Sequence, residues 1–386
     1  VDFAKYTHLN IAFAIPKDDG SITFDDSFSL PNAVKAIHGS NAKALLSVGG
    51  WTGSNLFSPI IKDATKSATF LASMVSLIKT NDLDGIDLDW EYPGKQGNIC
   101  NVFDKDNDTP SYLKFLQQLR KKLDAEFGAG KKLITMAVGV APFEVGGTPS
   151  ADVSEFAKVV DYAHLMLYDI NGIWNDVTGP NAPMDFVQGK GMQASFKSGI
   201  TAWKVAKWPA EQLTAGIAFY GRSTTATADM STDPKNQYQP QSKAIPQGDK
   251  EDASWTDTCA GTTSLSGQWQ WKHLRDQGLL SSPDTAASGW TRYWDDVSQT
   301  PWLFNPSTKI YISYDDPKSL KAKVSYAAQQ GLAGAMVWTI NMDYNGELLD
   351  ALRTWPDTPS ISHTSEAPCG DGPDEVACSP KSDDSS

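Results

Sequence analysis

Cysteine, long apolar stretches and clustered positive charge are all scarce in this chain of 386 residues. Its four cysteines are too few for a small fold held together by disulfides. No apolar stretch approaches the roughly 18 residues that a membrane-spanning helix needs. The net charge is −13, and lysine and arginine nowhere form a long run. Because phosphate binding draws on clustered cations, we expect neither nucleic acid nor a membrane as a partner.

The four cysteines fall in two settings. Cys369 and Cys378 lie in a polar tail that gives no reason to bury two thiols, so we predict a local disulfide between them. Cys100 and Cys259 are either a second pair or two buried single residues, and the sequence leaves both open. The tail disulfide and a glycosylation sequon at 107–109 favour an oxidising environment, so we expect a secreted protein.

Short β-rich runs alternate with helical patterns along the chain. The runs are 7–14, 42–50, 84–91, 133–139, 162–169, 213–221 and 334–340, and helical periodicity is clearest over 67–80, 112–127, 194–205 and 320–330. This alternation indicates α/β architecture, a parallel sheet with helices outside it. Polar or aromatic residues at strand ends favour a (β/α)8 TIM barrel, which presents its active site there. An open doubly wound sheet is the alternative, but no G-x-G-x-x-G motif follows the first strand.

The domain organisation departs from a plain barrel in two places. Seven strands are visible where a closed barrel needs eight, and we expect the first strand to be missing from this chain, since the first run begins at residue 7. The connection between 221 and 334 is unusually long, and we interpret 222–309 as an α+β domain inserted between strands seven and eight. The barrel then comprises 1–221 and 310–355, and an acidic Ser/Pro-containing tail follows over 356–386.

The run DGIDLDWE at 84–91 places two different rows of side chains on one strand. Because side chains alternate along a strand, Asp87, Asp89 and Glu91 share one face while the other face is apolar, and neighbouring acids lie about 7 Å apart. Carboxyl groups that are this close and partly buried cannot all ionise freely, so at least one keeps a proton near neutral pH. A proton retained at the carboxyl end of the strand is what a general acid needs.

Three other readings of these acids are weaker. A solvated edge strand disagrees with the apolar row on the opposite face. A calcium loop beginning at Asp82 fails because glycine belongs at loop position six, where Asp87 stands. A metal site of another kind lacks a nearby histidine. We therefore predict acid catalysis with neither metal nor cofactor.

The same run resembles the D-x-x-D-x-D-x-E signature of glycoside hydrolase family 18, the chitinases, in all four acids: Asp84, Asp87, Asp89 and Glu91. Further segments resemble other motifs of that family, in the expected order: SVGGW at 47–51, LMLYD at 165–169, FYGRS at 219–223 and AMVWTINMD at 335–343. The resemblance runs from about residue 7 to 353, and the long connection is similar to the chitinase insertion domain. The start departs from the family, because its first strand is absent here.

The resemblance implies substrate-assisted hydrolysis with retained stereochemistry. Glu91 would protonate the glycosidic oxygen, and the substrate's own acetamido oxygen would attack the anomeric carbon to form an oxazolinium ion. Asp89 would orient the acetamido N–H and balance the developing charge, and Asp87 would share a proton or hydrogen bond with Asp89. Tyr168 would donate its hydroxyl to the acetamido oxygen.

The resemblance also implies a set of substrate-binding residues. Asp169 and Arg222 would bind the sugar near the cleavage point, and Met166 and Tyr220 belong to the same motifs. Trp338 would form the floor under the distorted sugar, and Trp51 would lie on the leaving-group side, because apolar sugar faces stack on tryptophan rings. Ordinary packing is an equally good interpretation for Trp174, Trp290 and Trp294. We expect Phe13 in the core or the cleft floor, and a structural role for Asp84 at the start of its strand.

The resemblance implies a chitinase that binds chitin and chito-oligosaccharides; the oligomeric state is open, and a monomer is the default expectation. One alternative is a sugar-binding lectin of the same fold, although such relatives typically lack the terminal acid, which is Glu91 here. Another is an enzyme acting on N-glycans, but the aromatic residues and the predicted insertion favour a long linear polymer.

Overall fold

The computed structural model describes residues 1–25, 29–257 and 259–356. In chain order its strands are β1 (His8–Pro16), β2 (Ile22–Thr23), β3 (Lys43–Gly49), β4 (Gly85–Asp89), β5 (Leu133–Val138), β6 (Glu144–Val145), β7 (Thr148–Pro149), β8 (Tyr162–Leu165), β9 (Leu213–Ala218), β10 (Tyr220–Thr225), β11 (Trp255–Asp257), β12 (Thr262–Ser264), β13 (Gln268–Gln270), β14 (Leu280–Ser282), β15 (Thr285–Ala286), β16 (Thr291–Asp295), β17 (Thr300–Asn305), β18 (Ile310–Ser313) and β19 (Gly334–Trp338). Its α-helices are α1 (Leu30–His38), α2 (Phe57–Lys62), α3 (Ala64–Asn81), α4 (Asp108–Phe127), α5 (Ser154–Ala157), α6 (Phe196–Val205), α7 (Trp271–Asp276), α8 (Pro317–Gln329) and α9 (Glu347–Leu352).

The main sheet consists of parallel strands in the order β1-β3-β4-β5-β8-β9-β19, with the short β2 antiparallel to the end of β1. Every one of the seven predicted strands is present, and the four predicted helices correspond to α3, α4, α6 and α8. Among the described residues, β1 and β19 form the two ends of this parallel series and do not pair with each other. The α/β architecture is therefore confirmed, whereas closure of an eight-stranded barrel stays a prediction.

Strand β4 lies in the middle of this sheet, and all five of its residues are buried. The side chains of Ile86 and Leu88 belong to the main hydrophobic core. The Trp90 ring lies just beyond the strand. It stacks on the Phe57 ring with ring centres 5.3 Å apart, and it packs edge-on against the Tyr112 ring with ring centres 5.0 Å apart. The acid row is thus opposite a core-facing row, as its sequence pattern predicts.

Short-range signals fix the helices that flank these strands. The Asp63 side chain accepts backbone N–H bonds at the start of α3, and Asp82 ends that helix in the left-handed conformation with φ 53°. Asp316 caps α8 through a reciprocal bond with Ser319, and Pro317 occupies the first turn, where no partner for its nitrogen is needed. The turn at Asp82 leads the chain directly into β4.

A second sheet is antiparallel, in the order β13-β10-β18-β17-β16. It begins at Tyr220 and ends at Ser313, so it extends beyond both predicted limits of the inserted domain, 222 and 309. The predicted strand 213–221 is in fact two strands, because β9 ends at Ala218 and β10 begins at Tyr220. Tyr220 and Arg222 therefore belong to the antiparallel sheet and not to the end of a parallel strand.

A disulfide joins Cys100 to Cys259, with Cα atoms 5.1 Å apart. Of the two possibilities that the sequence leaves open, the pair is the one observed. The bond connects the segment after β4 to the turn of the β11–β12 hairpin, 159 positions away in sequence. The predicted disulfide between Cys369 and Cys378 lies outside the described residues. Within those residues, we find no helix with the length and apolar character needed to cross a bilayer.

Candidate active site

The deepest acid of the row, Asp87, is held by the two neighbouring strands. Its Oδ2 accepts a hydrogen bond from Ser47 Oγ at 2.6 Å, and its Oδ1 accepts one from Thr135 Oγ1 at 2.6 Å. The strand register places these donors opposite Asp87 on β3 and β5. His164 Nε2 lies 3.8 Å from Asp87 Oδ1, and burial lowers the pKa of this imidazole although Asp87 opposes the shift. Both carboxylate oxygens are therefore fixed in direction.

The middle acid, Asp89, has an unpaired oxygen. Its side chain is buried, and Oδ1 has no hydrogen-bond partner among the described atoms. Burial raises the pKa of Asp89 well above its ordinary value, and the charges of Glu91 and Asp87 raise it further. A buried carboxyl oxygen without a donor is costly, so this atom calls for an explanation.

The outer acid, Glu91, lies beyond the end of β4 and is only partly buried. Burial raises the pKa of Glu91 to about 7; a hydrogen bond from Tyr92 opposes this shift, and the charge of Asp169 adds to it. The backbone of Glu91 is fixed on both sides, because its N–H donates to Ser54 Oγ at 2.9 Å and its carbonyl accepts from Asn101 Nδ2 at 2.8 Å. Such a carboxyl group can both give and take a proton near neutral pH.

The first acid of the signature, Asp84, lies away from this row. Its Oδ2 accepts hydrogen bonds from His38 Nε2 and from the backbone N–H of Ala44, both at 2.8 Å. These bonds join the start of β4 to α1 and β3, which agrees with the structural role expected for Asp84.

The two glycines of the SVGGW segment allow β3 to approach the acid row closely. Gly49 has φ 114°, and a Cβ atom there would lie 2.2 Å from the carbonyl oxygen of Asp89. A Cβ atom on Gly50, which has φ 80°, would lie within 3.0 Å of the Phe13 ring. The N–H of Gly50 donates to the Asp89 carbonyl at 2.8 Å. Any larger residue would displace the strand that carries the acids.

The LMLYD segment does not continue the strand as predicted, because β8 ends at Leu165. Met166, Tyr168 and Asp169 lie in the irregular segment that follows, and Asp169 is left-handed with φ 56°. Burial raises the pKa of Tyr168 well above its ordinary value, and the Asp89 and Asp169 charges add to the shift. Its hydroxyl therefore stays protonated, and it donates a weak hydrogen bond to Met336 Sδ at 3.9 Å.

Asp169 is joined to two residues of the antiparallel sheet. Its Oδ1 accepts hydrogen bonds from Tyr220 Oη and from Arg222 Nε, both at 2.7 Å. Burial lowers the pKa of the Arg222 guanidinium, but Asp169 and Tyr220 outweigh burial and hold that pKa above its ordinary value. The guanidinium also lies 5.4 Å from the centre of the Trp174 ring. This cluster therefore carries a fixed ion pair beside the acids.

A cavity of about 350 Å³ opens beside Glu91, and Asp87, Asp89, Tyr220 and Arg222 are not among the residues that line it. Of the predicted site residues, those that line it are Glu91, Met166, Tyr168 and Asp169. Trp174 and Tyr92 line it as well. Trp51 and Trp338 lie outside this cavity: Trp51 is 45% exposed, and Trp338 stacks on Phe13 with ring centres 5.4 Å apart. Trp294 lies under the Lys318 ammonium at 3.6 Å, and Trp290 packs against the core.

Sequence reasoning missed several residues that contact the predicted ones: Tyr92, Thr135, His164, Ser54, Asn101 and Asn181. Tyr92 could have been predicted as a site residue, because it directly follows Glu91 in the sequence. The others come from distant parts of the chain, and no local pattern marks a hydroxyl or an amide as the partner of a particular acid.

Carboxyl groups close together, one of them with a raised pKa, at the carboxyl end of a strand in a parallel α/β sheet are an arrangement that glycoside hydrolases use. Residues 1–343 match the profile of Glycosyl hydrolases family 18, and the chain belongs to that family.

Individual relatives agree. The crystal structure of a chitinase from Rhizomucor miehei superposes with a TM-score of 0.85 at 37% identity, covering 92% of this chain and 95% of that one. A "chitinase-like effector" of Moniliophthora roreri is 38% identical over 92% of this chain and 87% of its own length. "Chitinase A1" of Niallia circulans is 34% identical over 81% of this chain and 42% of its own length.

Proposed function

We propose that the protein hydrolyses the β-1,4 linkages between N-acetylglucosamine units of chitin and chito-oligosaccharides, with retained stereochemistry and with the substrate's acetamido group as the nucleophile. The observation that carries this proposal is the unpaired, buried Oδ1 of Asp89, two residues before Glu91, whose pKa is raised by burial to about 7. An acetamido N–H is the donor that this oxygen lacks, and a glycosidic oxygen is the acceptor for the Glu91 proton.

In the first step Glu91 gives its proton to the leaving oxygen while the acetamido carbonyl oxygen bonds to the anomeric carbon. The resulting oxazolinium ion carries positive charge on the acetamido nitrogen, whose N–H would donate to Asp89. The Tyr168 hydroxyl, which remains protonated, would donate to the acetamido oxygen and orient it. Positioning of this kind lowers the barrier by fixing the reacting atoms before reaction.

In the second step water attacks the anomeric carbon, and Glu91 takes up the water's proton as a base. Inversion at each of the two steps gives net retention. The proton that Asp87 and Asp89 share would move towards Asp89 when no sugar is bound and away from it when the oxazolinium ion forms. The fixed hydroxyl donors of Ser47 and Thr135 would stabilise the charge on Asp87.

Sugar binding would use the remaining predicted residues. Asp169 and Arg222 would bind hydroxyl groups near the cleavage point, Trp338 would stack under the distorted sugar, and Trp51 would contact the leaving-group side. Met166 and Tyr220 would complete the wall of the cleft. A secreted monomer that needs no metal or cofactor fits this chemistry.

A second candidate is a protein that binds chito-oligosaccharides without cleaving them. It is favoured by the name "chitinase-like effector" given to two relatives, from Moniliophthora roreri and Moniliophthora perniciosa, which are 38% and 34% identical to this chain. The presence of Glu91 with a raised pKa favours hydrolysis.

Incubation with the chitin hexamer, followed by separation of product sizes and anomers over time, tests both candidates. Hydrolysis predicts early products shorter than the hexamer in the β-anomeric form. Products of the α-anomeric form would contradict the substrate-assisted mechanism. Tight binding of an intact hexamer would support the second candidate, and a hexamer neither bound nor cleaved would exclude both.

A further inference from the structure

Tyr168 and Asp169 are consecutive residues, yet both line the same cavity. In an extended chain, consecutive side chains point to opposite faces. The left-handed backbone at Asp169, with φ 56°, breaks this alternation. Aspartate adopts this conformation more readily than most residues other than glycine, but a particular left-handed residue is still held in place by its surroundings.

Asn181 supplies that support through three hydrogen bonds. Its side-chain Oδ1 accepts the backbone N–H of Asp169 at 3.1 Å, and its carbonyl oxygen accepts the N–H of Ile170 at 2.9 Å. Its own N–H donates to Ser313 Oγ at 2.6 Å. Ser313 lies opposite Arg222 in the β10–β18 pairing. Asn181 thus connects the irregular segment to the sheet that carries the cationic partner of Asp169.

The amide nitrogen of the Asn181 side chain is buried without a partner. Asn181 is 1% exposed, and its Nδ2 has no hydrogen-bond partner among the described residues. The amide cannot gain by rotating, because the N–H of Asp169 needs an acceptor. A buried amide with an unpaired donor is unfavourable. If the position served packing only, an apolar residue would fill it at lower cost, so packing does not explain the asparagine.

We propose that Asn181 is a positioning residue that holds Asp169 in its left-handed conformation, so that the Asp169 carboxylate faces Arg222 and the cavity next to Tyr168. The effect on catalysis rests on the proposed function, whereas the effect on Asp169 does not.

Asp169 in this position acts on the general acid. The titratable groups that interact with Glu91 are Asp89, Asp169, Tyr92 and Tyr168, and Lys95 and Glu144 line the same cavity. After burial, which is the largest cause, the charge of Asp169 raises the pKa of Glu91 while the Tyr92 hydrogen bond lowers it. If Asp169 turns away, the pKa of Glu91 falls.

The test compares Asn181→Ala with Thr178→Val. Thr178 is a matched control, because it is equally buried in the same segment and bonds the Gln237 carbonyl and the Gln239 backbone, with no bond to Asp169. Titration of 13C-labelled glutamate side chains by NMR, with the Glu91 signal assigned from Glu91→Gln, reads the positioning directly. We expect the Glu91 midpoint to fall in Asn181→Ala and to stay unchanged in Thr178→Val. An unchanged midpoint in Asn181→Ala would overturn the proposal.

Kinetics provide a second readout. A misplacement of about 1 Å can lower a rate about 100-fold, so we expect kcat of Asn181→Ala to fall about 10- to 100-fold with a smaller change in KM. The alkaline limb of its pH profile should move to lower pH. Asn181→Asp keeps an acceptor for the Asp169 N–H and should restore most of kcat. Equal loss in Asn181→Asp, Asn181→Ala and Thr178→Val would mean that Asn181 serves packing only.

A second variant and a readout independent of hydrolysis distinguish a misfolded variant, or an inactive protein, from a failure of the proposal. If Asn181→Ala does not fold, Ser313→Ala removes the hydroxyl that holds the Asn181 N–H and should lower the Glu91 midpoint by a smaller amount. If the wild-type protein cleaves no chito-oligosaccharide, the proposed function fails while the NMR titration still decides the role of Asn181.

Discussion

The acid row and the Asp169 cluster lie side by side but are built in different ways. Asp87, Asp89 and Glu91 come from five consecutive residues on and just after β4, and the pitch of one strand sets their spacing. The cluster joins Asp169 from the segment after β8 to Tyr220 and Arg222 from the antiparallel sheet. The row therefore depends on local geometry, and the cluster depends on tertiary structure.

This difference predicts two kinds of response to substitution. Replacing an acid of the row by its amide should change the chemistry and leave the geometry in place, since the backbone of β4 is held by both neighbours. Replacing a member of the cluster should change geometry and chemistry together, because each member holds the others.

The largest effect is expected at the row. Glu91→Gln removes the general acid, which typically contributes about 10²- to 10⁴-fold, and kcat on chitin hexamer should fall by that factor. Initial rates measure the fall. Hexamer binding, followed by tryptophan fluorescence, and the far-UV circular dichroism spectrum should be unchanged. Near wild-type turnover would exclude Glu91 as the acid.

A smaller loss of activity but a larger structural effect is expected in the cluster. Asp169→Asn leaves the Arg222 guanidinium without its anionic partner, and Asp169 is 40% exposed, so solvent reduces the loss. We expect a decrease in the free energy of unfolding of about 1–2 kcal/mol, measured by denaturant titration. Activity on the hexamer should fall about 10- to 100-fold. Unchanged stability would mean that the ion pair contributes nothing.

The same contrast explains what the sequence could predict. Period-two alternation in DGIDLDWE indicates a strand with one acidic face, and neighbouring glycines in SVGGW indicate a close approach, so the acid row was predictable. The end of β8 at Leu165 and the break between β9 and β10 were not predictable, because Met166–Tyr168 and Phe219 are as apolar or aromatic as a strand requires. Asn181 was missed because its partner is an N–H group whose need for an acceptor appears only in the folded backbone.

The pH dependence of activity should reveal an interaction between the Asp169 cluster and the acid row. Glu91 has a pKa of about 7 and must be protonated for the first step, so kcat/KM should be high below pH 7 and fall about tenfold per pH unit above it. In Asp169→Asn this limb should shift to lower pH, because the Asp169 charge raises the pKa of Glu91. Profiles of both proteins from pH 5 to 9 measure the shift. Coinciding alkaline limbs would show that the cluster does not act on the acid.

The titration of Glu91 should also make the stability of the protein depend on pH. The direction is opposite to that of most acids, whose pKa is lower in the folded state. Because the pKa of Glu91 rises from 4.5 to about 7 on folding, the folded state binds more protons within that window, and stability falls as pH rises through it. Glu91→Gln removes this slope. Thermal unfolding of both proteins at pH 4.5 and at pH 7.5 should therefore show a smaller decrease in Tm for the variant, and equal decreases would contradict the raised pKa.

The smallest effect on activity is expected where the row depends on its neighbours, because Thr135 bonds Asp87, the acid farthest from Glu91. Thr135→Val removes the hydroxyl that donates to Asp87 Oδ1 and leaves a buried carboxylate oxygen unpaired, so the free energy of unfolding should fall by about 1–3 kcal/mol. Thr224→Val is the matched control, since Thr224 is also a buried strand threonine but its Oγ1 has no partner among the described atoms. Denaturant titration should show little change, or a gain, for the control. Equal losses in both variants would mean that the cost comes from packing, and that β4 and the Ser47 hydroxyl suffice to hold Asp87.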